Sequence, residues 1–202
     1  MAAVLIIGAS LLGLVGIGTL ILDRLFHLDV FKVGWRKAAQ ELPEFAAAHG
    51  LEFTAPTLRH EMGSAVGSFN GRDVRVLPDE RARLEVLLRG PELQLSTSRP
   101  QVAAPENMQP FETGRLGFDR FFKTRYAGSL VAAKLVANAP LVSFVEDRLM
   151  RWWFTLRFIE IGPSVLRCSV IYGQASYLPA HVLDELLPEL CELARLIEET
   201  RP

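Results

Sequence analysis

The sequence has few of the residues from which metal and redox sites are built. It contains only two cysteines, Cys168 and Cys191, and four histidines that lie far apart, at His27, His49, His60 and His181. Two isolated cysteines form neither a metal site nor a disulfide framework, and the histidines lack paired ligand spacing. Both cysteines have apolar neighbours, so we expect buried thiols in a reducing compartment. We therefore predict no metal and no cofactor.

The signatures of the common enzyme classes are also absent. The chain has no GxSxG nucleophile elbow, no phosphate-binding P-loop, no GxGxxG and no HExxH. His60 beside Glu61 could act as a base with its orienting acid, but such neighbouring pairs often occur by chance. With no nucleophile in a recognisable context, the sequence predicts a protein that is not an enzyme.

Net charge gives no indication of a nucleic-acid partner. The 202 residues include 22 Lys and Arg against 23 Asp and Glu, a formal net charge of −1. No overall field therefore directs the chain to a polyanion. About 180 residues (202 minus 22) follow the first 22, which is enough for one domain with its own core.

The stretch without charge is the first 22 residues. Ala2 to Leu22 reads AAVLIIGASLLGLVGIGTLIL, and charges begin at Asp23. A helix of this length covers roughly 30 Å, the thickness of a bilayer's hydrocarbon core. We predict that residues 1–22 form a single-pass transmembrane anchor in the cell membrane. A cleaved signal peptide fits less well, because no Lys or Arg precedes the run and bulky residues follow it.

Basic residues follow this anchor, at Arg24, Lys32, Arg36 and Lys37. Lys and Arg are retained on the cytoplasmic side of a membrane. We expect the amino terminus outside and the soluble domain in the cytoplasm. A periplasmic domain remains the alternative, because Asp23 and Asp29 lie among these bases.

Small residues form one stripe along the predicted anchor. Ala9, Gly13 and Gly16 have i, i+4, i+7 spacing, and such a stripe lets another helix approach closely. We predict association with a partner helix or with a second copy. The alternative is that the glycines are incidental.

The first half of the domain reads as a helix followed by strands. After a juxtamembrane linker at 23–33, a single α+β domain is expected over 34–202, beginning with a helix over 34–49 that Pro43 should interrupt and Gly50 should end. Asn70-Gly71 lies between two extended runs and predicts a two-residue hairpin. Further runs at 83–88 and 93–97 extend this to a four-stranded meander.

The second half alternates strands and helices. We predict a surface connection over 100–117, then a strand over 118–126. A helical region over 129–150, with a break at 138–140, follows the strand. We then expect a hairpin of 152–161 with 164–172, and a final helix over 179–200 that is kinked at Pro188. That helix has an apolar stripe of Val182, Leu186, Leu190, Leu193 and Ile197 opposite an acidic face. The fold class is α+β, an antiparallel sheet packed by helices and preceded by the anchor.

Two groups of residues are candidate interfaces, the tryptophans Trp35, Trp152 and Trp153 and the basic residues Arg120, Lys123 and Arg125. The tryptophans could contact the membrane or a partner, although core packing is their commoner use. The basic residues could bind phosphate or acidic lipid headgroups, or could form the solvated face of an alternating strand. The solvated face is favoured, because Glu112 and Asp119 lie nearby.

Two short motifs resemble those of known proteins. Residues 67–76 read GSFNGRDVRV, and Thr113-Gly114 precedes Phe118-Asp119-Arg120-Phe121-Phe122. The chain resembles uncharacterised bacterial single-pass membrane proteins of unknown function, in which a GxxxGRxVxV hairpin precedes a TGxxxFDxxF strand, a helix, a second hairpin and a closing helix. This resemblance implies the fold and contributes no activity.

Two functions remain open from the sequence. The first is a membrane-anchored, non-enzymatic scaffold or accessory subunit that binds a membrane-protein partner or itself. The alternative is a membrane-tethered module that binds lipid or a small ligand in a pocket between the sheet and the last helix. A deep apolar cavity favours the second, whereas a packed core with an exposed apolar patch favours the first.

Overall fold

The computed structural model describes residues 34–57, 63–77, 83–89, 93–103, 105, 107–152, 155–170 and 178–200. The predicted anchor, its stripe of Ala9, Gly13 and Gly16, and the linker lie outside these residues, as do His60 and Trp153. None of the helices in the described ranges is long and apolar enough to span a bilayer.

The described chain forms five α-helices and nine strands. The helices are α1 (Gly34–Ala48), α2 (Leu116–Phe121), α3 (Leu130–Val136), α4 (Val142–Asp147) and α5 (Ala180–Glu199), with a π-helical turn at Ala137–Leu141 and a 3₁₀ turn at Met150–Trp152. The strands are β1 (Glu52–Thr54), β2 (Ser64–Phe69), β3 (Arg72–Leu77), β4 (Arg83–Leu87), β5 (Gln94–Ser98), β6 (Gln109–Phe111), β7 (Lys123–Ala127), β8 (Leu156–Ile161) and β9 (Val165–Val170).

All nine strands belong to one antiparallel sheet in the order β1-β2-β3-β4-β9-β8-β5-β7-β6. The predicted α+β class with an antiparallel sheet is therefore confirmed. The predicted four-stranded meander is wrong in its last strand, because β9 and not β5 lies beside β4. The side chains explain why β9 pairs with β4. Leu166 lies opposite Val86 and Cys168 lies opposite Leu84, all in the core, whereas β5 is rich in Ser and Thr.

The hairpin of β2 and β3 is confirmed, with Asn70 at φ 50° and Gly71 at φ 75°. Gly50, at φ 68°, follows α1 as predicted. A Cβ at Gly71 would meet no atom within 4 Å, so any penalty for a side chain there comes from the backbone alone.

Replacing Gly71 by valine should lower the free energy of unfolding by about 1 kcal/mol or more, because a β-branched residue is strained at positive φ. Urea unfolding of the parent and the variant measures the difference. Asn70→Gly is the matched control, since glycine tolerates the same φ and should change stability little. Equal midpoints for Gly71→Val and the parent would contradict the two-residue turn.

The core lies between the sheet and the helices. All five stripe residues predicted for the last helix are fully buried, and α5 is one continuous helix that contains Pro188. The predicted interruption at Pro43 is wrong, because α1 continues through it to Ala48. An internal proline costs about 3 kcal/mol, and burial of Leu42, Phe45 and Ala46 offsets that cost.

The middle of the chain differs most from prediction. Residues 118–126 are not one strand, because the helix α2 comes first and β7 begins at Lys123. The predicted surface connection over 100–117 contains β6. The predicted helix break is a π-helical turn that joins α3 to α4, in which Pro140 is accommodated without ending the helix. Trp152 belongs to a 3₁₀ turn, so the last hairpin starts later than predicted.

Two polar contacts fix α1 against α5. A Glu41 carboxylate oxygen accepts the N–H of Ala180 at 3.1 Å, and His49 Nε2 lies 2.8 Å from an Asp184 carboxylate oxygen. The Glu41 contact supplies the first turn of α5 with an acceptor that its own N-cap residue, Pro179, does not provide. The helix that follows the predicted anchor is therefore attached to the longest helix of the domain.

Candidate functional site

The two faces of the sheet have different chemistry. One cross-strand row passes through all nine strands and places the following residues on a single face, which we call the polar face: Glu52, Val66, Arg75, Glu85, Arg167, Glu160, Ser96, Arg125 and Pro110. The opposite face packs against α5, as shown by the two hydrogen bonds from Arg72 to Glu198. Opposite charges directly across neighbouring strands stabilise a sheet.

The centre of the polar face is a buried carboxylate surrounded by arginines. Glu85 is 5% exposed. Its carboxylate lies 3.1 Å from Arg167 Nε, 3.3 Å from Arg83 Nε and 3.9 Å from Arg75 Nη1. The side chains of Arg75 and Arg167 are 49% and 43% exposed, so they remain in contact with water. The cluster joins β3, β4 and β9 through one anion.

Glu160, next along the same row, has a different environment. Burial raises the pKa of its carboxyl group, and the nearby charges of Arg167 and Arg83 oppose that shift. The folded protein therefore holds the Glu160 proton more tightly than the unfolded chain does. A raised carboxyl pKa contributes stability that is fully present below the unfolded pKa and is lost as pH rises through the folded value.

Glu160→Gln should increase the free energy of unfolding at pH 7, because it removes a carboxylate that is charged in a partly buried position. The gain should shrink as pH falls toward the unfolded carboxyl pKa of about 4.3, where the parent side chain is also protonated. Urea unfolding at pH 7 and pH 4.5 measures it, with Glu52→Gln in the exposed edge strand as control. A variant that is less stable than the parent at pH 7 would contradict this account.

The predicted basic residues do not form one strand face. Lys123 and Arg125 project from β7 onto the polar face, opposite Ser98 and Ser96. Arg120 lies on α2, exposed, with its guanidinium 6.0 Å from the Phe121 ring centroid. Within the described chain Arg120, Lys123 and Arg125 have no ion-pair partner.

The tryptophans have different positions. Trp152 is 8% exposed and belongs to the core, which leaves little of it for contact with a partner. Trp35 lies in α1, in the stretch whose side chains are not described. The cysteines are buried as predicted, and burial raises the pKa of Cys168 to about 12 and that of Cys191 to about 11.

The acidic residues of α5 form ion pairs within the protein. Its six carboxylates pair as follows: Asp184 with His49, Glu185 with Arg151, Glu189 with Arg148, Glu192 with Arg148 and Arg195, Glu198 with Arg72, and Glu199 with Arg195. Single exposed pairs contribute little to stability. Four arginines therefore offset four of the six carboxylate charges, and His49 offsets a fifth only when it is protonated.

The TGxxxFDxxF motif has a structural role. Asp119 accepts hydrogen bonds from the Thr113 backbone N–H at 3.1 Å, the Thr113 hydroxyl at 2.9 Å and the Gly114 N–H at 3.0 Å. Phe118 and Phe122 are buried with ring centroids 5.0 Å apart. The aspartate therefore closes the turn that starts α2. The donors are neutral groups, so the carboxylate keeps its negative charge next to Arg120.

A groove of about 390 Å³ lies between α4 and α5. Phe144 and Leu196 supply its apolar lining. Its charged lining consists of Arg148, whose guanidinium lies 5.3 Å from the Phe144 ring centroid, and the carboxylates of Asp147 and Glu199. The groove lies between two helices, whereas the sequence predicted a pocket between the sheet and the last helix. There the stripe of α5 is fully buried in the core.

Exposed aliphatic side chains are concentrated on α3. Leu130, Val131 and Leu135 are 38%, 78% and 41% exposed. Together with Lys134, which is also exposed, they share one face of the helix, and we call these four residues the α3 ridge. Ala133 and Val136 bury the other face. The hydrophobic pattern of the sequence did not single out this ridge, because Leu and Val are read first as core residues.

Comparisons with known proteins give a likeness in fold. No protein-family model matches the sequence, and no curated protein sequence matches it significantly. Among solved structures, the fold is similar to the crystal structure of the mycobacterial trehalose monomycolate transport factor A, TtfA. The TM-score is 0.62 at 12% identity, over 83% of this chain and 97% of that chain. The chain thus shares its α+β architecture with nearly the whole of a transport factor's structure.

Proposed function

We propose that the chain is a membrane-anchored, non-enzymatic accessory protein of a lipid-transport complex. The observation that carries the proposal is the likeness in fold to a trehalose monomycolate transport factor over 97% of that chain. The charge-free stretch from Ala2 to Leu22 supports a membrane location. We assign the protein a binding role through its surface, and not a catalytic one, because no catalytic motif occurs in the sequence.

The described structure favours an interaction subunit over an enclosed lipid carrier. The interior between α5 and the sheet is packed with fully buried side chains, while the α3 ridge exposes apolar surface. Exposed apolar surface marks sites of protein or membrane contact. The groove beside Phe144 and Leu196 supports the second candidate, a lipid- or ligand-binding module, because it offers apolar walls, and its charged lining is Arg148 with Asp147 and Glu199.

Depletion of the protein in its native cells tests the proposed function. After depletion, pulse-labelled envelope lipids should accumulate in the membrane where they are made, and expression of the full-length chain should restore their movement. A chain that begins at Gly34 should not restore it, because it lacks the predicted anchor. Unchanged lipid distribution after complete depletion would reject the proposal.

We place the amino terminus outside and the domain in the cytoplasm, on the basis of Arg24, Lys32, Arg36 and Lys37 after the anchor. A cytoplasm-specific reporter fused at Pro202 should be active. Activity of a periplasm-specific reporter at the same position would support the alternative orientation.

Replacing Gly13 and Gly16 by leucine should leave membrane insertion intact and reduce association with a partner helix or a second copy. Larger side chains prevent the close backbone approach that a small-residue stripe permits. Co-purification of two differently tagged copies, and of any companion protein, measures the effect. Gly8→Leu and Gly18→Leu, outside the Ala9, Gly13 and Gly16 stripe, are controls. Unchanged recovery would mean that the soluble domain alone carries the interaction.

A further inference from the structure

Unpaired basic residues gather in one part of the chain. Residues 120–145 contain four basic residues, Arg120, Lys123, Arg125 and Lys134, and no acidic residue. None of the four has an ion-pair partner in the described part of the chain, whereas the six acids of α5 are all paired. Of these four, only Lys134 lies on the α3 ridge, because Lys123 and Arg125 project onto the polar face and Arg120 lies on α2.

The same segment carries the α3 ridge. Helix α3 follows β7 after Gly128 and Ser129 and packs against that strand. The Ser129 hydroxyl accepts the Ala132 N–H at 3.3 Å and caps the start of α3. The ridge is thus held in place by a capped helix start, and its own cation, Lys134, lies among the aliphatic residues.

We propose that α3 docks on the anionic headgroup surface of the bilayer in which the chain is anchored. Leu130, Val131 and Leu135 enter the interfacial region, and Lys134 contacts lipid phosphates. Lys123 and Arg125 project onto the polar face, on the other side of the sheet, and take no part in this contact. This inference rests on the membrane location in the proposed function and adds a second, reversible contact with lipid.

A bilayer fits this surface better than an acidic protein does. Specific protein interfaces bury about 800 Å² on each partner, and three exposed aliphatic residues of one short helix fall well below that area. Interfacial lipid contact needs only a few apolar side chains flanked by cations. The linker at 23–33 has 11 residues and reaches at most about 40 Å. That tether raises the effective concentration of lipid, so a weak contact suffices.

The test uses the full-length chain in proteoliposomes of phosphatidylcholine alone or with a quarter phosphatidylglycerol. Val131→Cys carries an environment-sensitive fluorophore. The native thiols of Cys168 and Cys191 are buried and their pKa values are raised to about 12 and about 11, so they react little at neutral pH. The label should brighten at least twofold in the anionic vesicles, be quenched by brominated lipid, and return toward its starting intensity in 0.5 M salt. A label at Asp73→Cys, exposed on the polar face, should not respond.

Lys134→Glu in the labelled protein should remove most of the response, and Lys134→Arg should keep it, with circular dichroism confirming the fold of both. Equal label environments in the two vesicle types would overturn the proposal. Burial of the label only after a partner protein is added would also overturn it, in favour of an acidic protein surface. The vesicles contain no transport partner, so this result is independent of the depletion experiment. If depletion causes a lipid-transport defect but the label shows no docking, only this inference is rejected. If the label shows docking but depletion causes no defect, only the proposed function is rejected.

Discussion

Replacing Glu85 by alanine should lower the free energy of unfolding by about 3 kcal/mol. The change leaves Arg75, Arg83 and Arg167 without the anion that they share. Removing one partner of a buried ion pair typically costs about 3–5 kcal/mol. We expect the lower end of that range, because the arginines remain partly in water. Urea unfolding at pH 7 is the measurement.

Asp73→Ala is the matched control for Glu85→Ala, since Asp73 is an exposed carboxylate on β3. It should change stability by less than about 0.5 kcal/mol. A loss of stability in Glu85→Ala no larger than that of the control would show that the three arginines do not depend on the central carboxylate. The polar face would then be a set of separate surface charges.

Replacing Phe118 by alanine should lower the free energy of unfolding by about 3–5 kcal/mol. The ring is fully buried and lies against Phe122, so its removal loses apolar burial and leaves a cavity. Thermal or urea unfolding measures the loss. The expected result assigns the phenylalanine of the TGxxxFDxxF motif to stability of the fold.

Leu116→Ala is the control within the same helix, because Leu116 is 89% exposed. Substitutions at such positions usually change stability by less than about 0.5 kcal/mol. If Phe118→Ala melted like Leu116→Ala but lost association with membrane partners, the motif would belong to a binding surface and its structural assignment would be wrong.

Local signals predicted the hairpins and the last helix. Asn70-Gly71 predicts a two-residue turn because positive φ is required at both positions, and the structure has it. The apolar stripe of α5 has a 3.6-residue period, and all five of its members are buried. These features depend on residues that are close in sequence.

Features that depend on distant residues were not predictable in the same way. The position of β9 beside β4 depends on matching Arg167 with Glu85, more than 80 residues apart. The start of α2 depends on Asp119 accepting hydrogen bonds from Thr113 and Gly114, so a pattern that alternates like a strand folds partly as a helix. Tertiary burial likewise overrides the local cost of Pro43 in α1.

For the candidate surfaces too, the sequence identifies the residues, whereas their positions depend on distant parts of the chain. Lys123 and Arg125 were evident as basic residues, but their place on the polar face requires the register with β5. The acidic face of α5 was evident too, but its pairing with Arg148 and Arg151 requires α4 and the turn after it to run beside α5. The α3 ridge became visible only once the exposure of Val131 was known.

The central claim is that this chain acts by binding partners through its surface, as an anchored accessory protein of a lipid-transport complex. Mild-detergent purification of the tagged full-length chain from native membranes, with stoichiometry of every retained protein and lipid, tests it most directly. We predict that a membrane-protein partner is recovered in near-equal amount. Recovery of the chain with one tightly bound lipid per copy and no companion protein would contradict the claim and favour a lipid-binding module.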